Sequence, residues 1–112
     1  MPVVNNEQIE QWKKEYGDVY QLTGDVDTEE DLGASQVFYF RKPGRKDLSR
    51  FVKEMAKDMY KATNNLVYGC LLYPSADVVR KMAEEKPGLI LALGGELQKI
   101  IGSSQDFLSK KL

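Results

Sequence analysis

Ser35-Gln36-Val37-Phe38-Tyr39-Phe40-Arg41, stopped by Lys42-Pro43-Gly44 and followed by Arg45-Lys46-Asp47-Leu48-Ser49-Arg50-Phe51-Val52, is the stretch that decides the fold. Its first half is aromatic and β-branched and alternates, with Val37 and Tyr39 on one face and Phe38 and Phe40 on the other, the pattern of a strand. Its second half changes period. Leu48, Phe51, Val52, Met55 and Met59 recur at helical spacing and predict an apolar stripe on a helix beginning near Arg45, with Gly44 as cap and Asp47 in the first turn. A strand turning directly into an amphipathic helix points to a mixed α+β domain.

Upstream, Asp18-Val19-Tyr20-Gln21-Leu22-Thr23 predicts a second strand, and the two strands together a β-hairpin. Between them runs an acidic segment, Gly24 to Gly33, which reads as a long, solvated and mobile loop. Before the hairpin, Ile9, Trp12 and Tyr16 predict a short helix over Asn6–Tyr16. Asn5 is its cap with Gln8 in the capping-box position, and Gly17 ends it in a left-handed conformation. Downstream, the helical pattern breaks near Thr63-Asn64-Asn65 and resumes through Leu66, Val67, Cys70 and Leu71 until Tyr73-Pro74. Ser75 then caps a helix carrying Val78, Val79 and Met82, ended by Lys86-Pro87-Gly88. The last helix spans Leu89 to Ile101. Gly94-Gly95 within it cost about 1 kcal/mol each relative to alanine, which implies a break or a very close backbone approach. Residues 102–112 read as a flexible polar tail.

The expected architecture is therefore a single α+β domain over residues 1–112: a short helix, a hairpin, then three or four helices packed on one face of the hairpin. An isolated two-stranded sheet is marginal, so the helices must cover it or another copy must lend a third strand.

Composition bounds the function. The 112 residues carry a net charge of −1, with 42% hydrophobic and 29% charged side chains, the balance of one globular domain. That charge argues against general nucleic-acid binding. No histidine is present, which removes imidazole-based triads and zinc sites and the commonest general base. Cys70 is the single cysteine, set in an apolar run, and reads as a buried structural thiol. Asp25, Asp27 and Glu29 match the first ligands of a calcium loop, but Glu30 stands where glycine is required and Gln36 where a bidentate glutamate belongs. Gly94-Gly95 lacks a following Lys-Ser/Thr, so no phosphate loop is indicated. No catalytic residue, cofactor or metal is expected. No signal peptide is evident, and the most apolar run, Leu89 to Leu93, is far short of the roughly 20 residues that cross a bilayer.

Two surface features remain. Arg41, Lys42, Arg45 and Lys46 form a basic knot at the strand-to-helix turn, read as solvated surface first, then as a protein contact, and last as a nucleic-acid site. Tyr16, Tyr60 and Tyr73 are candidate contact residues, because tyrosine is enriched at interfaces. These seven residues are the candidate partner-binding set.

Several stretches carry a resemblance. They are Glu10-Gln11-Trp12-Lys13-Lys14-Glu15-Tyr16-Gly17 leading into DVYQLT, Phe38-Tyr39-Phe40-Arg41-Lys42-Pro43 leading into a helix, Asn65 to Pro74, and Lys86-Pro87-Gly88-Leu89 through Gly95-Glu96-Leu97. In these the sequence resembles the bacteriophage tail-assembly chaperones. The resemblance spans most of the chain and rests on caps, core and turns. It implies a non-catalytic protein of the host cytoplasm that binds the tape-measure protein, keeps it soluble, helps recruit tail-tube subunits, and is absent from the finished virion. It also implies, for many members, a longer frameshifted product, to which the codons of Lys110-Lys111 would be relevant. A structural subunit of the virion is the alternative reading, and a small nucleic-acid-binding regulator a further one. Homo-oligomerisation is compatible with all three.

Overall fold

The Ser35–Arg41 strand is central to the sheet, and everything else is arranged around it. The computed structural model describes residues 4–25, 35–102 and 109–112. The elements run α1 (Asn6–Tyr16), β1 (Val19–Asp25), β2 (Ser35–Arg41), α2 (Arg45–Met55), α3 (Met59–Cys70), β3 (Leu71–Tyr73), α4 (Ala76–Glu85) and α5 (Leu89–Ile100). The sheet is antiparallel in the order β1-β2-β3. The α+β hairpin-and-helices architecture is the one the sequence predicts. The acidic loop from residue 26 to 34, with Asp27 and Glu29, and most of the polar tail (103–108) lie outside the described residues.

Register explains the layering. Tyr20 pairs with Phe40 and Leu22 with Phe38, so these four share one face of the sheet. Phe38 and Phe40 are fully buried there with Phe51 of α2, Ala62, Leu66, Val67 and Cys70 of α3, Val79 of α4, and Ile90, Leu93 and Leu97 of α5. Burying each large apolar side chain is worth about 1.5–3 kcal/mol, so this helical layer is what makes a small sheet stable. The opposite face carries Tyr39, whose ring lies 5.8 Å from that of Trp12 and 6.2 Å, edge-on, from that of Tyr73. The Tyr39 hydroxyl donates to Gln21 Oε1 at 3.2 Å. Trp12 thereby fastens α1 to the sheet face away from the core.

Three local expectations need correcting. The interruption falls at Ala56–Asp58, not at Thr63-Asn64-Asn65, which sit inside α3. Asp58 caps α3 by accepting from Lys61 N at 3.1 Å. The three polar residues stay helical because each side chain finds a partner. Thr63 Oγ1 donates to Met59 O at 2.8 Å, Asn64 Nδ2 to Tyr60 O at 2.9 Å, and Asn65 Nδ2 to Glu54 Oε2. Leu71–Tyr73 is a strand rather than the end of a helix, because Tyr39 and Phe40 offer it a pairing edge. The third strand thus comes from the same chain. Finally, the stripe Leu48, Phe51, Val52, Met55, Met59 is only partly core. Phe51 is buried, whereas Val52 is 51%, Met55 38% and Met59 49% exposed.

Caps follow the sequence closely. Asn5 Oδ1 accepts from Gln8 N at 2.8 Å, and Gly17 takes a positive φ of 85°, with a ψ of −128° outside the left-handed helical basin. Ser75 stands at the N-cap of α4 without a side-chain capping bond. Gly94 answers the question its position raised. Helix α5 is unbroken, and a Cβ on Gly94 would lie 2.5 Å from Thr63 Cγ2, so α3 and α5 approach closely at this point.

Candidate protein-interaction site

The basic knot does not survive as four free charges. Arg41, at the end of β2, donates from its two terminal nitrogens to Asp47 Oδ2 and Oδ1 at 2.9 and 3.1 Å, and also to Gly69 O at 3.1 Å. Asp47 Oδ2 additionally accepts from Gly44 N at 2.8 Å. One bidentate pair therefore ties the end of β2, the first turn of α2 and the last turn of α3 together. Planar, bidentate, charge-assisted bonds of this kind are the strong ones. The hydrogen bond from Arg41 holds the Asp47 carboxyl below its ordinary range, and the bond to Asp47 raises the guanidinium in turn. Arg41 is a structural staple here. Lys42, Arg45 and Lys46 remain exposed. The aromatics beside them give no stacking platform: Phe38 and Phe40 are in the core, and Tyr39 is packed by Trp12 and Tyr73.

The depressed Asp47 pKa has a stability consequence. A carboxylate held below its unfolded value contributes stability that is complete above that value and is lost as pH falls through the folded one. Wild type should therefore lose this contribution below about pH 4. Asp47→Asn should cost about 1–2 kcal/mol at neutral pH, and the gap to wild type should narrow in acid. Urea melts of both proteins at neutral and acid pH measure it. An unchanging gap contradicts the assignment.

The three tyrosines are not brought together. Tyr16 is 48% exposed at the end of α1, Tyr60 is 53% exposed on the first turn of α3, and Tyr73 is half-buried against Tyr39. Tyr60, however, has company that the sequence hid. Val52, Met55, Met59 and Tyr60 occupy the end of α2 and the start of α3, and all four are exposed. Val52 lies about 100° around the helix from Phe51, too far to share its burial. The width of the stripe was the available signal, since one neighbouring helix cannot cover both edges of it. Methionine adapts to irregular apolar surfaces, and tyrosine supplies a rigid ring with a polar tip. Lys53, Lys57 and Lys61 in the same stretch are exposed as well.

Other chemistry is sparse. Cys70 is 1% exposed, and burial pushes its thiol up to about 11. Thiol reagents should accordingly label native protein slowly and denatured protein at the ordinary thiol rate, in a timed mass-spectrometric assay. Equal rates would mean that α3 opens readily. Among the described residues no group of His, Cys, Asp or Glu could hold a metal ion. A shallow depression along α1, lined by Asn6, Glu7, Glu10, Gln11 and Lys14, is open to solvent. No helix among the described residues is long and apolar enough to cross a membrane.

The chain is similar to the solved structure of uncharacterised protein rbstp2171 from Bacillus stearothermophilus, at 33% sequence identity, with a TM-score of 0.72 and coverage of 91% of this chain and 99% of that one. No curated protein matches. A family model described as "Domain of unknown function (DUF6848)" matches residues 12–110, from the α1 tryptophan almost to the end, and the chain belongs to that family.

Proposed function

We propose that this is a non-catalytic protein-binding module that acts as a phage tail-assembly chaperone, holding a tape-measure protein soluble while tail-tube subunits assemble. The observation that carries the reading is the exposed corner of Val52, Met55, Met59 and Tyr60. Val52 and Met55 lie one turn apart on α2, Met59 and Tyr60 follow after three residues at the start of α3, and exposed apolar residues that form one patch mark protein contacts. An amphipathic client helix laid against this corner would bury its apolar face, and repeated binding along one long client would add avidity. The resemblance in the caps, strands and turns supplies the identity of the client.

Co-expression with a phage tape-measure protein tests the reading. The expected result is a soluble complex holding several copies of the chain, where the tape measure alone aggregates. An insoluble client and no complex would sink the proposal. Presence of the chain in purified particles would move the function to a virion subunit.

A further inference from the structure

We propose that two copies of the chain join through their β1 strands, antiparallel about a two-fold axis at Leu22, so that their sheets form one continuous six-stranded sheet. β1 is an edge. It pairs with β2 along all of Val19–Asp25, and among the described residues no strand lies on its other side. Lys42 N donates to Asp18 O at 2.9 Å, which fixes the phase of the ladder. In an antiparallel pair, residues alternate between bonding inward and pointing outward. Tyr20, Leu22 and Gly24 therefore bond to β2, while Val19, Gln21, Thr23 and Asp25 direct their N–H and C=O groups outward.

That outward set is symmetric about Leu22. A second β1, turned by the two-fold, would place Val19 opposite Asp25 and Gln21 opposite Thr23 of the other copy, and every outward group of all four residues would gain a partner. No other two-fold register uses the whole strand. The side chains agree with it. On the core face, Leu22 would meet Leu22 of the second copy, where non-hydrogen-bonded pairs bring side chains closest. Tyr20 would lie over Gly24 of the second copy, a large residue against the smallest. On the other face, Gln21 and Thr23 are both polar and exposed. No like charges are opposed. Edge strands are normally guarded by lysine, proline or a bulge. From Val19 to Gly24 this one has no charge and no proline, and its pairing with β2 is regular throughout.

Light scattering of the full chain on a size-exclusion column tests the proposal. The expected mass is twice the 12.7 kDa of one chain. Thr23→Pro removes an outward N–H but no β1–β2 bond, and should give single chains with an unchanged circular-dichroism spectrum. An equimolar mixture of Gln21→Cys chains and Thr23→Cys chains should form a disulfide between copies far more readily than either variant alone, because the facing Cα atoms would be about 5.5 Å apart. Buried Cys70 should stay silent. A one-chain mass for wild type overturns the proposal, as does a dimer that survives in folded Thr23→Pro. If Thr23→Pro fails to fold, the cysteine mixture decides, and cross-linking no greater than in the separate variants overturns it. A client strand occupying the edge instead would leave the free chain monomeric.

Discussion

Gly94→Ala should destabilise the protein by about 1–3 kcal/mol, whereas Gly95→Ala, one residue away, should stabilise it by up to about 1 kcal/mol. Both substitutions remove the same backbone penalty, since glycine inside a helix is worse than alanine. They differ in what the new methyl group meets. At Gly95 nothing lies within 4 Å of the added Cβ. At Gly94 it would stand 2.5 Å from Thr63 Cγ2 and 3.7 Å from Val67 Cγ2, and the first of these is far inside van der Waals contact. Thr63 cannot easily swing away. It is 2% exposed, β-branched, and held by its hydroxyl bond to Met59 O. The helices must part instead, loosening a contact that buries Ala62 and Val67 of α3 together with Leu93 and Leu97 of α5.

A rescue experiment separates this cause from any general intolerance of α5. Thr63→Ser removes the offending Cγ2 and keeps the hydroxyl. Alone it should cost a small cavity, and combined with Gly94→Ala it should recover most of the lost stability. Denaturant melts of the four proteins complete the cycle. Additive effects would show that the close approach is not what the glycine serves.

Features fixed by neighbours in sequence were legible. Asn5 capping Gln8, the alternation of Val37 to Phe40, and the Lys86–Gly88 stop all follow from residues within a turn of one another. So did the dilemma of Gly94-Gly95, although which neighbour comes close could not be read. What escaped depends on distant partners. Leu71-Leu72-Tyr73 is apolar enough to continue a helix, and it becomes a strand because β2 is exposed beside it. Thr63-Asn64-Asn65 has poor intrinsic helix propensity, yet two of its side chains bond back one turn and the third reaches Glu54 on α2. Asp58, a good N-cap, was the overlooked sign of the real break. At the candidate site the error had one source. Apolar periodicity shows which residues share a helix face, but not whether the protein has enough of itself to cover that face. Val52, Met55 and Met59 therefore fall in the predicted stripe although they lie exposed, and Arg41 falls in the predicted basic knot although its countercharge Asp47 stands six residues on.

The exposed corner gives the second large effect. Val52→Glu combined with Met59→Glu should weaken binding of the tape-measure client by tenfold or more, about 1.4 kcal/mol at least, while changing fold stability by no more than about 0.5 kcal/mol. Position keeps the stability cost small. Val52 is half exposed, and glutamate is a better helix former than valine. Met59 opens α3, where a negative charge is favoured by the helix dipole. Desolvation weakens binding, because each new carboxylate would have to leave water without a partner when an apolar client face closes over it. Val78→Glu is the control. Val78 is 42% exposed on α4, a helix that contributes no residue to the corner, and its replacement should leave client binding unchanged. If instead all three substitutions weaken binding alike, the client is held by general surface hydrophobicity. If the double variant binds like wild type, the corner is not the client site, and the three exposed cations Lys42, Arg45 and Lys46 become the next surface to reverse in sign.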